Sequence, residues 1–168
     1  LNQKRVSDIL SDVRQKQPLI HCITNPISIN QCANTILAVG GRPMMAEHPK
    51  EAQEITQTAQ ALMLNLGNIT DTRMESIRIS AETAAKENIP VLLDAVGVAC
   101  SRLRRNYTHE LLTMLTPTVI KGNYSEINAL YQDSYCSSGV DADASLDILD
   151  VDRCAVALAR ERGTIILA

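Results

Sequence analysis

Tryptophan and phenylalanine are both absent from this 168-residue chain, and four tyrosines supply its aromatic rings. The core must therefore be assembled from Ile, Leu, Val, Met and Ala. No apolar run approaches the roughly 18 residues that a membrane helix needs, and the first twenty residues are too charged for a signal peptide. There is no basic block and no Lys/Arg stripe interleaved with aromatics, which argues against nucleic acid as a partner. Five cysteines (Cys22, Cys32, Cys100, Cys136, Cys154) form no CxxC pair and are odd in number. That favours reduced thiols in a cytoplasm over a disulfide framework or a zinc site. No Gly-x-Gly-x-x-Gly follows the first predicted strand, and no P-loop signature occurs anywhere. The zinc-protease and serine-hydrolase signatures are missing as well.

What remains is an ordinary soluble composition, 45% hydrophobic and 21% charged with a net charge of -3. The length suits one domain with a real core. Residues 1–17 read as an amphipathic helix with Val6, Ile9, Leu10 and Val13 on one face, stopped by Pro18. Strands are expected at 18–24, 42–46, 61–67, 90–94, 118–121 and 164–168. Helices are expected at 27–39, where Gly40-Gly41 supplies the stop, and from Pro49. Further helices are expected at 72–87 capped by Asp71, from Asn106 or Thr108, at 124–132, and at about 150–162. Residues 133–147 are polar and turn-rich, and read as a surface excursion. Alternating strands and helices imply right-handed crossovers and an α/β domain of three layers, a mostly parallel sheet with helices on both faces. The last apolar strand has no helix after it, so the domain is expected to be incomplete at its C-terminus.

In such a sheet all the C-terminal strand ends lie on one side, where open α/β folds bind ligands. The sequence places Thr24-Asn25, Met44-Met45, Asn65-Gly67-Asn68, Asp94 and Lys121-Asn123-Glu126 there. Each has a plain structural alternative. Met45 suits a core, Asn25 before Pro26 suits a turn, and Gly67 suits a tight strand-to-helix connection. Asn123 and Glu126 have the spacing of a capping box. Asp94 is harder to assign to structure alone, because a carboxylate ending a buried strand must be solvated, paired or metal-bound. The stretch from Thr118 to Ile127 combines a cation, a helix start and a carboxylate, the parts that phosphoryl transfer uses. His21 reads as a satisfied core residue; His48 and His109 read as surface residues.

The ordered motifs His21-Cys-Ile-Thr-Asn25, Ala33-Asn34, Gly41-Arg-Pro-Met-Met45-Ala46, Leu64-Asn-Leu-Gly67, Leu93-Asp-Ala-Val-Gly97, Ile120-Lys-Gly-Asn123-Tyr-Ser-Glu126 and Gly139-Val-Asp141 resemble the hydroxyethylthiazole kinases. These are thiamine-salvage enzymes of the ribokinase-like superfamily, and the match runs over essentially the whole chain. The resemblance implies a single ribokinase-like domain over residues 1–168. Its implied reaction is ATP- and Mg²⁺-dependent phosphorylation of the hydroxyl of 4-methyl-5-(2-hydroxyethyl)thiazole, in a cytoplasmic homotrimer with the site near a subunit interface. By position, Met45, Asn25 and Gly67 would line the thiazole site. Lys121 and Asn123 would meet ATP, and Asp94 would serve catalysis and, with Glu126, organise Mg²⁺.

Three departures qualify that pattern. Lys121 stands where the family usually has an arginine, keeping the charge but losing the fork. Ala95 replaces the common proline after the aspartate. The Gly-rich anion hole, its catalytic cysteine, the Thr-Gly after the last strand and most of the adenine site fall beyond residue 168. These 168 residues alone are accordingly expected not to turn over substrate. Two alternatives stand beside this reading: a related kinase of another small alcohol, and an inactive paralogue that binds thiazole or oligomerises.

Overall fold

The computed structural model describes residues 3–133 and 148–168. Apart from Asp133, the expected excursion at 133–147 lies outside the described residues, as does the Gly139-Val-Asp141 motif. Among the described residues seven helices and six strands follow one another, alternating except where α7 comes directly after α6. They are α1 (Gln3–Lys16), β1 (Leu19–Ile23), α2 (Ile29–Val39), β2 (Arg42–Met44), α3 (Pro49–Thr58), β3 (Ala61–Asn65), α4 (Asp71–Glu87), β4 (Val91–Asp94), α5 (Arg102–Met114), β5 (Val119–Lys121), α6 (Tyr124–Tyr131), α7 (Ile148–Arg162) and β6 (Ile165–Leu167). The strands form one sheet in the order β2-β1-β3-β4-β5-β6, and every pairing is parallel.

Two helix caps differ from the sequence reading. The α4 cap is Thr70, whose hydroxyl accepts from the Arg73 amide, and Asp71 is the first helical residue. Thr70 has the extended backbone an N-cap requires, whereas Asp71 already lies inside the helix and favours its positive end. Helix α5 begins at Arg102 under a Ser101 cap, four residues ahead of Asn106. The run of arginines after Ser101 hid that start, because cations oppose the dipole at a helix N-terminus. The α2 stop is as expected: Gly40 adopts φ 100° and its amide closes onto Ile36 and Leu37.

Side chains of a strand alternate between faces, and the two faces differ here. On one, Ile23, Leu62, Leu64, Leu93 and Ile120 are fully buried against Ile77 and Ala81 of α4, Tyr107 and Leu111 of α5, Ile127 of α6 and Leu158 of α7. Each such aliphatic side chain contributes roughly 1.5–3 kcal/mol of burial. Helix α3 covers the same face at β1, where Thr56 meets His21. On the other face α2 packs over β1 and β2, with Ile36 close to Ile20. Met63, Leu92 and Val119 are only half-buried there, and Ile165 and Leu167 are exposed. Helices on both faces give the expected three layers. In addition α2 has no fully buried residue, and Val6, Ile9, Ile27, Leu37 and Met44 are exposed around the α1–α2 layer.

The strand order also fixes a crevice. From β1 the chain moves one way, to β2; from β3 it moves the other way, to β4. Right-handed crossovers therefore send the loop after β1 over one face and the loop after β3 over the other. The two loops part at the β1/β3 boundary, the topological switch point where such folds bind ligands.

Candidate functional site

Asn65, Asp94 and Lys121 are brought side by side by the strand register, Asn65 opposite Asp94 and Asp94 opposite Lys121. They end three adjacent strands and point to the same, less covered face. From β1, Asn25 reaches over to join them. Its amide donates to Asn65 Oδ1 at 3.2 Å, and the Asn65 amide donates to Asp94 Oδ2 at 2.8 Å. The Gly67 N–H also donates to Asn65 Oδ1, at 2.8 Å. A single chain of hydrogen bonds thus runs from the loop after β1 through the end of β3 to the end of β4.

Asn65 is the hub of this network, and sequence reasoning placed it at the strand ends without giving it a role. The signal was available: a polar amide ending an apolar buried strand poses the same question as Asp94. Gly67 is required for a reason other than the one expected. A Cβ there would lie 2.8 Å from Asn65 Oδ1 and 3.0 Å from Asn25 Nδ2, inside contact distance of two side chains already held by hydrogen bonds. Asn25 also accepts from the Ile27 and Ser28 amides at 3.1 Å, which is the turn role expected of a residue before Pro26. Met45 follows β2 at the same edge of the sheet and is half-buried.

Asp94 is 8% exposed. Its Oδ2 is taken by Asn65, while its buried Oδ1 has no hydrogen bond. Lys121 Nζ lies 3.1 Å from Oδ1 but off the line of a hydrogen bond, so that oxygen has a charge partner and a free lone pair. Because the lysine side chain is 45% exposed, the pair is partly screened.

Glu126 sits one turn into α6, and its carboxylate is fully engaged. Oε1 accepts from the Gly97 amide at 2.7 Å and Oε2 from the Asn123 amide at 2.8 Å. Asn123 Oδ1 in turn accepts from the Glu126 amide at 2.9 Å, completing the capping box. Burial pushes the Glu126 carboxyl above its usual value; the two amide bonds oppose this, and the nearby Asp94 charge adds to it. Gly97, at φ 76°, delivers the amide that ties the loop after β4 to α6. That loop and the start of α6 are therefore tied together beside Asp94.

A divalent ion would find a sparse donor set here. Among the described residues no group of three or more His, Cys, Asp or Glu forms a metal cluster. Mg²⁺ is the ion such a site suits, because it retains waters and takes one or two carboxylates together with substrate phosphates. The free lone pair of Asp94 Oδ1 fits a direct contact. Glu126, with both oxygens engaged, fits contacts through water.

A separate cleft lies away from these residues. A hollow of about 490 Å³ opens at the N-terminal edge of the sheet, where Asn88, Pro90, Leu112, Thr113 and Thr118 line it. It contains no ionisable side chain, and chemistry is better supported at the strand C-termini.

Fold and site define a parallel α/β protein of the kind whose ligand lies in the crevice beyond the strand ends. Residues 10–168 match the model of the hydroxyethylthiazole kinase family, and the chain belongs to that family. It is 52% identical over 136 residues to hydroxyethylthiazole kinase 2 of Clostridium botulinum (strain 657 / Type Ba4), covering 81% of this chain and 51% of that protein. Against the hydroxyethylthiazole kinase of Finegoldia magna it is 44% identical over 165 residues, covering 98% of this chain and 61% of that protein. The structure of the hydroxyethylthiazole kinase protein from Pyrococcus horikoshii OT3 superposes with a TM-score of 0.85 at 29% identity, over 99% of this chain and 61% of that one. The chain thus spans between half and two thirds of the length of these relatives.

Proposed function

We propose that the protein to which this chain belongs phosphorylates the hydroxyl of 4-methyl-5-(2-hydroxyethyl)thiazole, with ATP as co-substrate. The observation that carries this reading is the hydrogen-bonded chain Asn25–Asn65–Asp94 at the switch point, flanked by Gly67 and by the Lys121 cation. Asn25 and Gly67 form the wall of the crevice that would hold the thiazole, with Met45 at its outer end. Lys121 and the N-terminus of α6 behind Asn123 supply positive potential for ATP phosphates. Asp94 and Glu126 are the residues that would hold Mg²⁺ and its waters; when bound, the ion neutralises charge on the transferred phosphoryl group.

What the chain's own residues contribute is orientation and electrostatics. Asn65 fixes the Asp94 carboxylate through Oδ2 and leaves Oδ1, buried beside Lys121, without a hydrogen bond. The same residue holds Asn25 and the Gly67 amide, so the alcohol-binding side and the phosphate-binding side share one hinge point. Holding the two reactants in line is where most of the acceleration arises in phosphoryl transfer.

A homotrimer in the cytoplasm completes the proposal. The exposed apolar side chains of the α1–α2 layer support assembly, and free Cys22, Cys32, Cys100 and Cys154 suit a reducing compartment. The deciding experiment is a coupled ADP-release assay on the full-length gene product, with the thiazole alcohol and a panel of pyrimidine and sugar alcohols. Selective turnover of the thiazole alcohol is expected. Turnover of another alcohol in preference, or none at all with Mg²⁺ and ATP saturating, would remove the proposal. Light scattering of the same sample is expected to give three copies.

A further inference from the structure

Arg73 is the buried charge that the site as described does not use. It is 5% exposed and lies in the first turn of α4, where a cation opposes the helix dipole. Burying a guanidinium at the wrong end of a helix is costly, so its partners must explain its presence. They lie on two different loops. Nε and Nη2 both donate to Glu47 Oε2, at 3.1 and 2.7 Å, in the loop after β2. Nη1 donates to the Asn68 carbonyl at 2.9 Å, in the loop after β3. Asn68 has the left-handed φ of 51°, a conformation that an anchored carbonyl helps to hold.

The loop after β2 is fastened at each residue beyond Met45. His21 Nε2 donates to the Ala46 carbonyl at 2.9 Å, while Ser76 Oγ donates to the Glu47 carbonyl at 2.6 Å. The Glu47 carboxylate then meets Arg73. On the other loop, Asn68 directly follows Gly67. Arg73 therefore joins the segment that starts at Met45 to the segment that starts at Gly67, from below the crevice.

We infer that Arg73 is a positioning residue for the alcohol substrate: through Glu47 and Asn68 it sets the spacing between Met45 and Gly67. This rests on the thiazole reading of the crevice given above. ATP binding involves strand ends on the far side of Asp94, and Arg73 does not touch them. Removing it should loosen the grip on the alcohol and leave the nucleotide side alone.

The test uses the full-length protein and the variants Arg73→Met, Arg73→Lys and Glu47→Gln. Calorimetry gives the Kd for the thiazole alcohol, steady-state kinetics give both KM values and kcat, and hydrogen exchange reads the segments 44–48 and 66–69. Arg73→Met is expected to weaken alcohol binding about tenfold, as the two loops lose the charged anchor they share, with KM for ATP and kcat changed less than about twofold. Arg73→Lys should recover only part of the loss, because one ammonium cannot span both loops. Glu47→Gln, at a half-exposed position that folds readily, should weaken alcohol binding about threefold, as expected for a partly exposed ion pair. Both segments should lose exchange protection together in Arg73→Met. Unchanged alcohol affinity in Arg73→Met and Glu47→Gln, an equal loss of both KM values, or loosening of one segment without the other would overturn the inference. If the wild type binds no thiazole alcohol, the functional reading falls; the paired exchange response then still decides whether the brace exists.

Discussion

The two edges of the sheet are built from the same strands and helices, yet they offer opposite chemistry. At the N-terminal edge lies a hollow of about 490 Å³, lined by helix C-terminal turns, Pro90 and half-buried apolar side chains. At the C-terminal edge lies a connected set of polar groups, Asn25, Asn65, Asp94 and Lys121. The direction of the chain accounts for this. Every β-to-α connection places helix N-termini, with their free amides and positive potential, at the strand C-termini; the opposite edge receives helix carbonyls. Cavity volume reports where packing is loose. Polar connectivity reports where chemistry is possible.

That contrast can be broken at several points in the full-length protein. The largest effect is expected for Asp94→Asn. It retains the size of the side chain but removes the charge beside Lys121, so kcat should fall about 100-fold or more while alcohol binding stays nearly intact. Thiazole-dependent ADP release at the wild-type rate would place the catalytic carboxylate elsewhere. Next is Gly67→Ala, which drives a methyl group into Asn65 Oδ1 and Asn25 Nδ2. The KM for the alcohol should rise about tenfold, and an unchanged KM would show that the crevice lies away from Gly67.

Substitutions of Lys121 sharpen the comparison on its phosphate side. Lys121→Ala should raise the KM for ATP about five- to tenfold, the loss of one charged contact. Lys121→Arg should lower it below the wild-type value by supplying a bidentate fork. Identical KM values for ATP in all three proteins would remove Lys121 from the site.

A smaller effect is expected from His21. Burial lowers its pKa from 6.5, so the folded state favours the neutral ring. As pH falls, the unfolded chain takes up the proton first. Stability from this group is therefore complete above pH 6.5 and is lost as pH drops through the lowered folded value. Melting temperature should fall by a few degrees between pH 7 and pH 5, and His21→Asn should flatten that slope. The smallest effect is the control at the opposite edge. Thr113→Phe fills part of the N-terminal hollow and should leave every kinetic constant within about twofold. A larger loss there would mean that the spacious edge, too, takes part in function.

Much of this architecture was legible in the chain. Strands ending on Asp94 and Lys121 are short apolar runs cut off by a polar residue, whereas the run expected to reach Gly67 stops as a strand at Asn65; the capping box from Asn123 to Glu126 is a local pattern that formed as written. The caps at Thr70 and Ser101 were harder, since Asp71 outranks Thr70 in intrinsic preference for the role and Asn106 matches Ser101. Helix α2 was read correctly as a helix, but its apolar character did not foretell that no residue of it would be fully buried. A one-dimensional pattern gives the face of a helix and is silent on what covers that face.

Sequence by itself determined the order of elements, the parallel sheet and the polar identity of each strand end, because these depend on local backbone preference and on alternation along the chain. Only the tertiary structure decided that Asn65 would be the hub, that Gly67 is a glycine for lack of space, and that Arg73 would join two loops 26 residues and 5 residues away from it in sequence. Such facts arise from the register of neighbouring strands and the sense of the crossovers. They concern distances across the fold, which no local pattern of residues encodes.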